Sequence, residues 1–270
     1  MWQNSSVIDK MYRKLAIQVS LNGLSFATFD TLMNKPLQLQ KVDLGKINVT
    51  TKIEDLFAEA FQKYDELKAS YDEVTIIHSN NLSAFVPTAL FDEEYLGSYL
   101  QFNTKVFETD FFAFDELANY EMNNVYIPYV HLNNYFIDQF GGFDYKHANT
   151  IVVNKLLDLS KNNEELQLFV HVSDTHFEIV VIQNQKLQLF NSFEYKTPED
   201  FIYYILFTAE QLFLNPENFK LELLGKIVEG DSLYAIAYKY IRNTSLFDVS
   251  FMQSSLTDAE KREHFILLHS

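Results

Sequence analysis

The sequence predicts an α/β fold assembled from one plan used twice, and three observations carry that prediction. The first is the stretch Leu168–Phe193, which reads as three short strands in succession, Leu168–Val172, Phe177–Ile182 and Leu187–Phe193. Polar breaks separate them, Ser173-Asp174-Thr175-His176 and Gln183-Asn184-Gln185-Lys186, and turns favour these residue types. The second is the continuation. Thr197-Pro198-Glu199-Asp200 leads into an apolar run of helical length, Phe201–Leu214, and Leu221–Leu224 then returns as a strand. The third is that the same order occurs earlier in the chain. Leu15–Ser20 lies over Leu168–Ser173, with Leu, Val and Ser coinciding at Leu15/Leu168, Val19/Val172 and Ser20/Ser173. A repeated order of elements is the mark of duplication.

In the first copy, Leu15, Ile17 and Val19 alternate with Ala16, Gln18 and Ser20, which is strand periodicity. Leu21-Asn22-Gly23 is a turn, Leu24–Phe29 a second strand, and Asn34-Lys35-Pro36 a turn before Leu37–Leu44. Thr50 or Thr51 caps a helix, with Glu54 completing a capping box. That helix is expected to reach about Tyr71 and to bury Ile53, Leu56, Phe57, Ala60, Phe61, Tyr64 and Leu67. Val74–His78 follows as a buried strand.

Between the copies the pattern predicts a strand over Leu82–Pro87, a helix over Ala89–Leu100 and a hairpin from Val106–Phe107 and Phe111–Leu117. Pro128 opens a helix from Tyr129 to Phe140, which Gly141-Gly142 closes as a left-handed cap. A strand Phe143–Lys146 and a helix Thr150–Leu159 come next. The polar run Lys161–Glu165 marks the boundary, giving domains 1–162 and 163–270. After the second copy the expectations are a helix Asp231–Arg242, a strand Leu246–Phe251, a capped helix Thr257–Glu263 and an apolar end, Phe265–Leu268.

Composition narrows the function classes. Hydrophobic residues make up 47%, enough for a core and without the signature of disorder. The 25 Phe and 16 Tyr accompany high Asn, Ile and Lys, which points to A·T-rich coding rather than an aromatic-ligand surface. With 21 basic and 37 acidic residues the net charge is −16, which repels phosphate backbones and anionic lipid headgroups. Neither nucleic acid nor membrane is expected as a partner. Cysteine is absent, so disulfides, thiolate zinc sites and a cysteine nucleophile are excluded. The first residues lack the apolar core of a secretion signal, and no window approaches ~18 apolar residues. A soluble cytoplasmic protein is the expectation. Seven glycines leave little for phosphate-cradling loops.

Three polar groups invite a chemical reading. His171, Ser173, Asp174 and His176 fall within six residues, but a triad needs partners converging from separate elements and no Gly-x-Ser-x-Gly elbow is present. Zinc would need remote ligands, so these four read as turn and strand residues. Asp110, Asp115 and Glu116, with Asp92, Glu93 and Glu94, read as solvated faces and helix N-terminal charge. His131, Asn133, Asn134, Lys146 and His147 form the most interesting set. They are either a recognition surface for a partner, a remnant ligand cleft, or buried polar groups satisfying loop backbone.

The duplicated plan resembles the actin-like ATPase superfamily, in which two ribonuclease H-like lobes face a nucleotide cleft. Ile127-Pro-Tyr-Val-His-Leu-Asn-Asn-Tyr-Phe136, Phe140-Gly-Gly-Phe-Asp-Tyr-Lys-His147 and Thr150 are similar to an uncharacterised bacterial family of unknown function expected to adopt that fold. Phe85-Val-Pro-Thr-Ala-Leu-Phe-Asp92 and Asn103-Thr-Lys105 fit it too. The superfamily's first phosphate loop is Asp-x-Gly; Gln18-Val19-Ser20 stands there. Its second is Asp-x-Gly-Gly; His171-Val172-Ser173-Asp174 stands there, and the adenosine motif keeps one glycine in Leu224-Gly225-Lys226. Without glycine a Cβ intrudes where backbone must meet phosphate, and without the acids Mg²⁺ loses its oxygen ligands. The resemblance therefore implies degenerate phosphate loops, with no catalytic, cofactor-binding or metal-binding residue. It implies a non-catalytic pseudo-ATPase that works as an interaction or assembly scaffold with protein partners. The alternative is an ATPase or small-molecule kinase with non-standard phosphate contacts, kept open by Gly225-Lys226.

Overall fold

In the computed structural model the described residues are 10–21, 23–43, 53–161 and 163–270. The expected cap at Thr50 or Thr51, the end of the third strand at Leu44, Asn22 of the first turn, the start of the polar lead-in and the boundary residue Asn162 lie outside them.

The first described elements are a three-strand meander, β1 (Arg13–Ser20), β2 (Gly23–Asp30) and β3 (Lys35–Asp43), with helix α1 (Ile53–Lys63) and strand β4 (Glu73–His78) after it. The helix is shorter than its apolar face suggested. Tyr64 is extended and sets its ring edge-on to Phe26 at 5.5 Å, and a 3-10 turn, Asp65–Lys68, then buries Leu67. Strand β5 (Ser83–Pro87) is as expected, but the predicted helix over Ala89–Leu100 survives only as two 3-10 turns and α2 (Leu96–Leu100). Local bonds outcompete it: the Asp92 carboxylate accepts from the Glu94 amide at 3.0 Å, and the Tyr99 hydroxyl donates to the Leu90 carbonyl at 2.8 Å.

Strand β6 (Ala113–Leu117) pairs not with Val106–Phe107 but with β7 (Met122–Tyr126), a strand its polar Asn123-Asn124 disguised. Helix α3 (Val130–Phe140) ends where Gly141 takes φ +73°, then come β8 (Asp144–His147) and α4 (Ala148–Leu159). The second meander is β9 (Gln167–Val172), β10 (His176–Gln183) and β11 (Lys186–Glu194). Helix α5 (Pro198–Gln211) opens with a capping box in which Thr197 and Asp200 satisfy each other's amides. Strand β12 (Lys220–Gly225), α6 (Ser232–Tyr240), β13 (Asn243–Leu246), α7 (Asp258–Glu263) and α8 (Phe265–Leu268) complete the chain. The last strand falls earlier than the expected Leu246–Phe251. Its partner is the short parallel β12, and beyond Phe247 the Asp248 carboxylate turns the chain by accepting from the Ser250 amide.

Two five-stranded sheets share one strand order, β3-β2-β1-β4-β8 and β11-β10-β9-β12-β13, and a three-stranded sheet runs β5-β7-β6. In each large sheet the central strand is antiparallel to its hairpin partner and parallel to the strand that returns after the helix. The registers match too. Gln18 faces Ser25 in the first hairpin and His171 faces Glu178 in the second; Val19 pairs with His78, and Val172 with Gly225.

The chain divides into two compact units, one of Met1–His78, Tyr129–Lys146 and Ser270, the other of Ser79–Pro128 and His147–His269. The first has its core where Leu15, Ile17 and Phe26 meet Phe57 and Phe61 of α1 and Phe136 of α3. The second packs Val170, Phe177 and Ile179 on Phe201 and Ile205 of α5, with Phe177 and Phe201 4.8 Å apart edge to face. The three-stranded sheet has a core of its own, Ala84, Val86, Leu100 and Val125. Among the described residues no helix is long and apolar enough to cross a membrane.

Candidate functional site

The β9–β10 hairpin concentrates more buried charge than its neighbours. It closes on a two-residue turn: the Ser173 amide donates to the His176 carbonyl at 2.9 Å, and Asp174 and Thr175 form the tip. That closure sets the register that brings His171 opposite Glu178. Glu178 is fully buried, yet both its oxygens are engaged. Its Oε2 lies 2.8 Å from His171 Nδ1, its Oε1 3.2 Å from His176 Nε2, and the Ser192 hydroxyl of β11 is 3.4 Å from Oε1. Burial alone would raise the Glu178 pKa, but His176 and His171 outweigh it and hold the carboxyl well below the usual range. For His176 burial works against the cation, and the Glu178 charge and hydrogen bond overcome it, so its pKa is raised. Sequence reasoning weighed His171 and His176 but missed Glu178. The available signal was a lone acid inside the apolar run Phe177–Ile182, opposite a histidine across a predicted turn.

The rest of this hairpin is tied up as well. Lys226, just past β12, forms an ion pair with Asp174, and the Tyr195 hydroxyl donates to the Ser173 carbonyl at 2.8 Å. Gly225 has φ +88°, and a Cβ there would lie 2.3 Å from the Val172 carbonyl oxygen and 2.7 Å from its nitrogen. This glycine thus allows one strand's backbone to close on another's, and the Lys226 amide donates to Val172 O at 2.7 Å. In the first unit's hairpin the Ser20 hydroxyl donates to the Gly23 carbonyl at 3.1 Å, closing that turn on itself.

The five residues proposed as an interaction surface go to different places. His131 and Asn134 are exposed on α3, and Asn133 is half-buried with its amide oxygen 2.9 Å from His78 Nε2. Lys146 is exposed and lines an open cavity of about 470 Å³ with Lys14, Glu73 and Asp144, where two cations face two acids. His147 is completely buried. Its Nδ1 accepts from the Asn149 amide at 3.1 Å, so Nε2 carries the proton toward Asn80 Oδ1, also at 3.1 Å. Around it, Asp115 accepts from the Thr150 hydroxyl at 2.5 Å, the His147 amide at 2.8 Å and the Tyr126 hydroxyl at 3.0 Å. Asp115, read with the acids of solvated faces and helix N-termini, is half-buried beside the start of α4, where His147 is the cap. Among the described residues no cluster of three His, Asp or Glu is arranged to hold a metal ion.

His78 occupies in the first sheet the register position Gly225 holds in the second. The Tyr129 amide donates to its Nδ1 at 3.2 Å, which leaves Nε2–H to donate to Asn133. Burial pushes its pKa down to about 4. The sign follows from linkage. The unfolded chain binds the proton near 6.5 and the folded one does not, so this stabilisation is complete above pH 6.5 and is lost as pH falls toward 4. The loss should reach about 3 kcal/mol. Denaturant melts at pH 7 and pH 4.5, with an NMR titration of the imidazole, check it; a His78 that titrates near 6.5 in the folded chain contradicts it.

Solved structures place this architecture. A protein of unknown function with an actin-like ATPase fold, from Bacteroides thetaiotaomicron VPI-5482, superposes with TM-score 0.78 at 21% identity, over 87% of this chain and 91% of that one. A chain of the PilM-PilN type IV pilus biogenesis complex superposes with TM-score 0.55 at 12% identity, over 94% and 96%. At these identities the likeness concerns fold alone. No curated protein matches the sequence. The family described as protein of unknown function (DUF3822) matches residues 3–244, and the chain therefore belongs to that family, with an actin-like ATPase fold.

Proposed function

We propose that this chain is a pseudo-ATPase: two tandem ribonuclease H-like lobes with degenerate phosphate loops, acting in the cytoplasm as an interaction or assembly scaffold for protein partners. The observation that carries the reading is the state of the β9–β10 hairpin, where the superfamily's second phosphate loop would lie. A phosphate cradle needs converging backbone amides and room for the anion. Here the Ser173 amide is used by His176, Asp174 is paired with Lys226, and the buried Glu178 carboxylate is already engaged by the His171 and His176 rings. A chain of similar fold within the PilM-PilN complex supports the idea that this architecture serves in protein assemblies. Gly225 and Lys226 are the observations that favour the second reading, a nucleotide-binding ATPase or small-molecule kinase, but the glycine has the structural use given above.

Phosphate release from ATP·Mg²⁺ by the purified chain tests the proposal. The expected rate is that of buffer. Sustained turnover that disappears in Lys226→Ala would overturn the pseudo-ATPase reading in favour of the second.

A further inference from the structure

We propose that the segment joining β5 to β6, residues 88–112, is a docking surface for a basic, Lys- or Arg-bearing segment of a partner protein. The segment turns large apolar side chains outward. Phe102 is 85% exposed and Leu90 71%, and Tyr95, Phe107 and Phe111 are also more than half exposed. Five such residues within about one-tenth of the chain exceed the scattered exposure normal for a soluble surface.

Its inner side is nonetheless well fixed. Phe91 packs on Phe114 at 4.8 Å between ring centroids and stacks on Tyr99 at 6.2 Å. The Asp92 amide donates to the Tyr99 hydroxyl at 2.9 Å, the Phe107 amide to the Asp110 carboxylate at 2.8 Å, and the Thr104 amide to the Leu100 carbonyl at 2.9 Å. The backbone that carries the outward side chains is thus held in place, which lowers the ordering cost of binding. Phe85 anchors the small sheet through an edge contact with Phe190 of β11 at 4.8 Å.

Charge selects the occupant. Asp92, Glu93, Glu94 and Glu108 are exposed among these rings, and Lys105 is the segment's one basic residue. Its ammonium lies 4.9 Å from the centroid of Phe107, an internal example of a cation settling on an exposed ring. A second copy of this acidic chain, or an anionic lipid surface, would set negative charge against negative charge. A cationic peptide with apolar side chains satisfies both the rings and the carboxylates. The surface does not depend on the state of the phosphate loops, and a nucleotide-binding chain would carry it equally.

A fluorescein-labelled amphipathic Lys/Leu peptide, titrated into the full chain at physiological salt, is the test. One-to-one binding is expected, weakened at least tenfold by Phe102→Ser/Phe107→Ser and by Glu93→Lys/Glu94→Lys. It should change less than twofold in Phe213→Ser, a ring 97% exposed outside the segment. Thermal melts verify folding; Phe102→Ser alone serves if the double variant is unstable. The proposal is overturned if the Phe102/Phe107 variant binds within twofold of the parent, since net charge alone would then explain the affinity. It is equally overturned if a Glu/Leu peptide of the same pattern binds as well. Dimerisation of the parent, or its binding to anionic vesicles, abolished by the same double substitution would reassign the surface and overturn it too.

Discussion

Replacing Glu178 with Gln should cost 3–5 kcal/mol of stability near pH 6, on the order expected when one member of a buried ion pair is removed. The side chain keeps its shape, so the loss reports charge rather than packing. Glu178 links three strands, through His171 on β9, its own place on β10 and Ser192 on β11. Without its charge, burial of His176 is opposed only by the weaker pull of Glu194 and Asp174, and its pKa should fall. The pH window is fixed by both partners. A depressed carboxyl contributes above its unfolded value of 4.5, whereas a raised imidazole contributes below 6.5 and loses that contribution as pH rises through its folded value. The penalty of Glu178→Gln is therefore largest between about 4.5 and 6.5. Urea melts across pH, with an NMR titration of His176, measure both effects. A variant within 1 kcal/mol of the parent, with His176 unmoved, would show that the cluster carries little of the hairpin's stability.

Gly225→Ala should destabilise by ~3–4 kcal/mol, near the upper end for a single substitution. Two costs combine. The backbone at φ +88° already disfavours any Cβ, and the new carbon meets backbone atoms of Val172, which cannot rotate away as a side chain would. Relief would require β12 to part from β9 where the two strands end. Gly230→Ala is the matched control: φ is +94°, but nothing lies within 4 Å of the added carbon, so only the backbone cost of ~1–2 kcal/mol remains. Equal losses at the two positions would mean that the close approach to Val172 is not what fixes Gly225.

The hairpins, the long helices and their caps could be read in the sequence because each obeys a local rule. Alternation marked β1, a predicted polar turn marked the end of β9, and Thr197 with Asp200 marked the start of α5. What failed was decided by side-chain hydrogen bonds that periodicity does not record. Met122–Tyr126 received no assignment, its Asn123 and Asn124 breaking the apolar pattern, yet Asn124 donates to the Thr150 hydroxyl at 2.9 Å from inside the molecule. Ala89–Leu100 had helical apolar spacing, but Asp92 and Tyr99 offered the backbone nearer bonds than another helical turn could. His147 stood beside Lys146 in sequence, while a hydrogen-bond network through Asn80 and Asn149 draws it into the interior. Glu178 lay between these cases: the turn that pairs it with His171 was legible, and the consequence of that register went unread.

Isothermal titration of the full chain with ATP·Mg²⁺ and with ADP, from micromolar to millimolar, tests the proposed pseudo-ATPase reading most directly. If the Ser173 amide stays bonded to the His176 carbonyl and Asp174 stays paired with Lys226, neither nucleotide should give a saturable heat. Saturable, Mg²⁺-dependent binding that is lost in Lys226→Ala would contradict that reading.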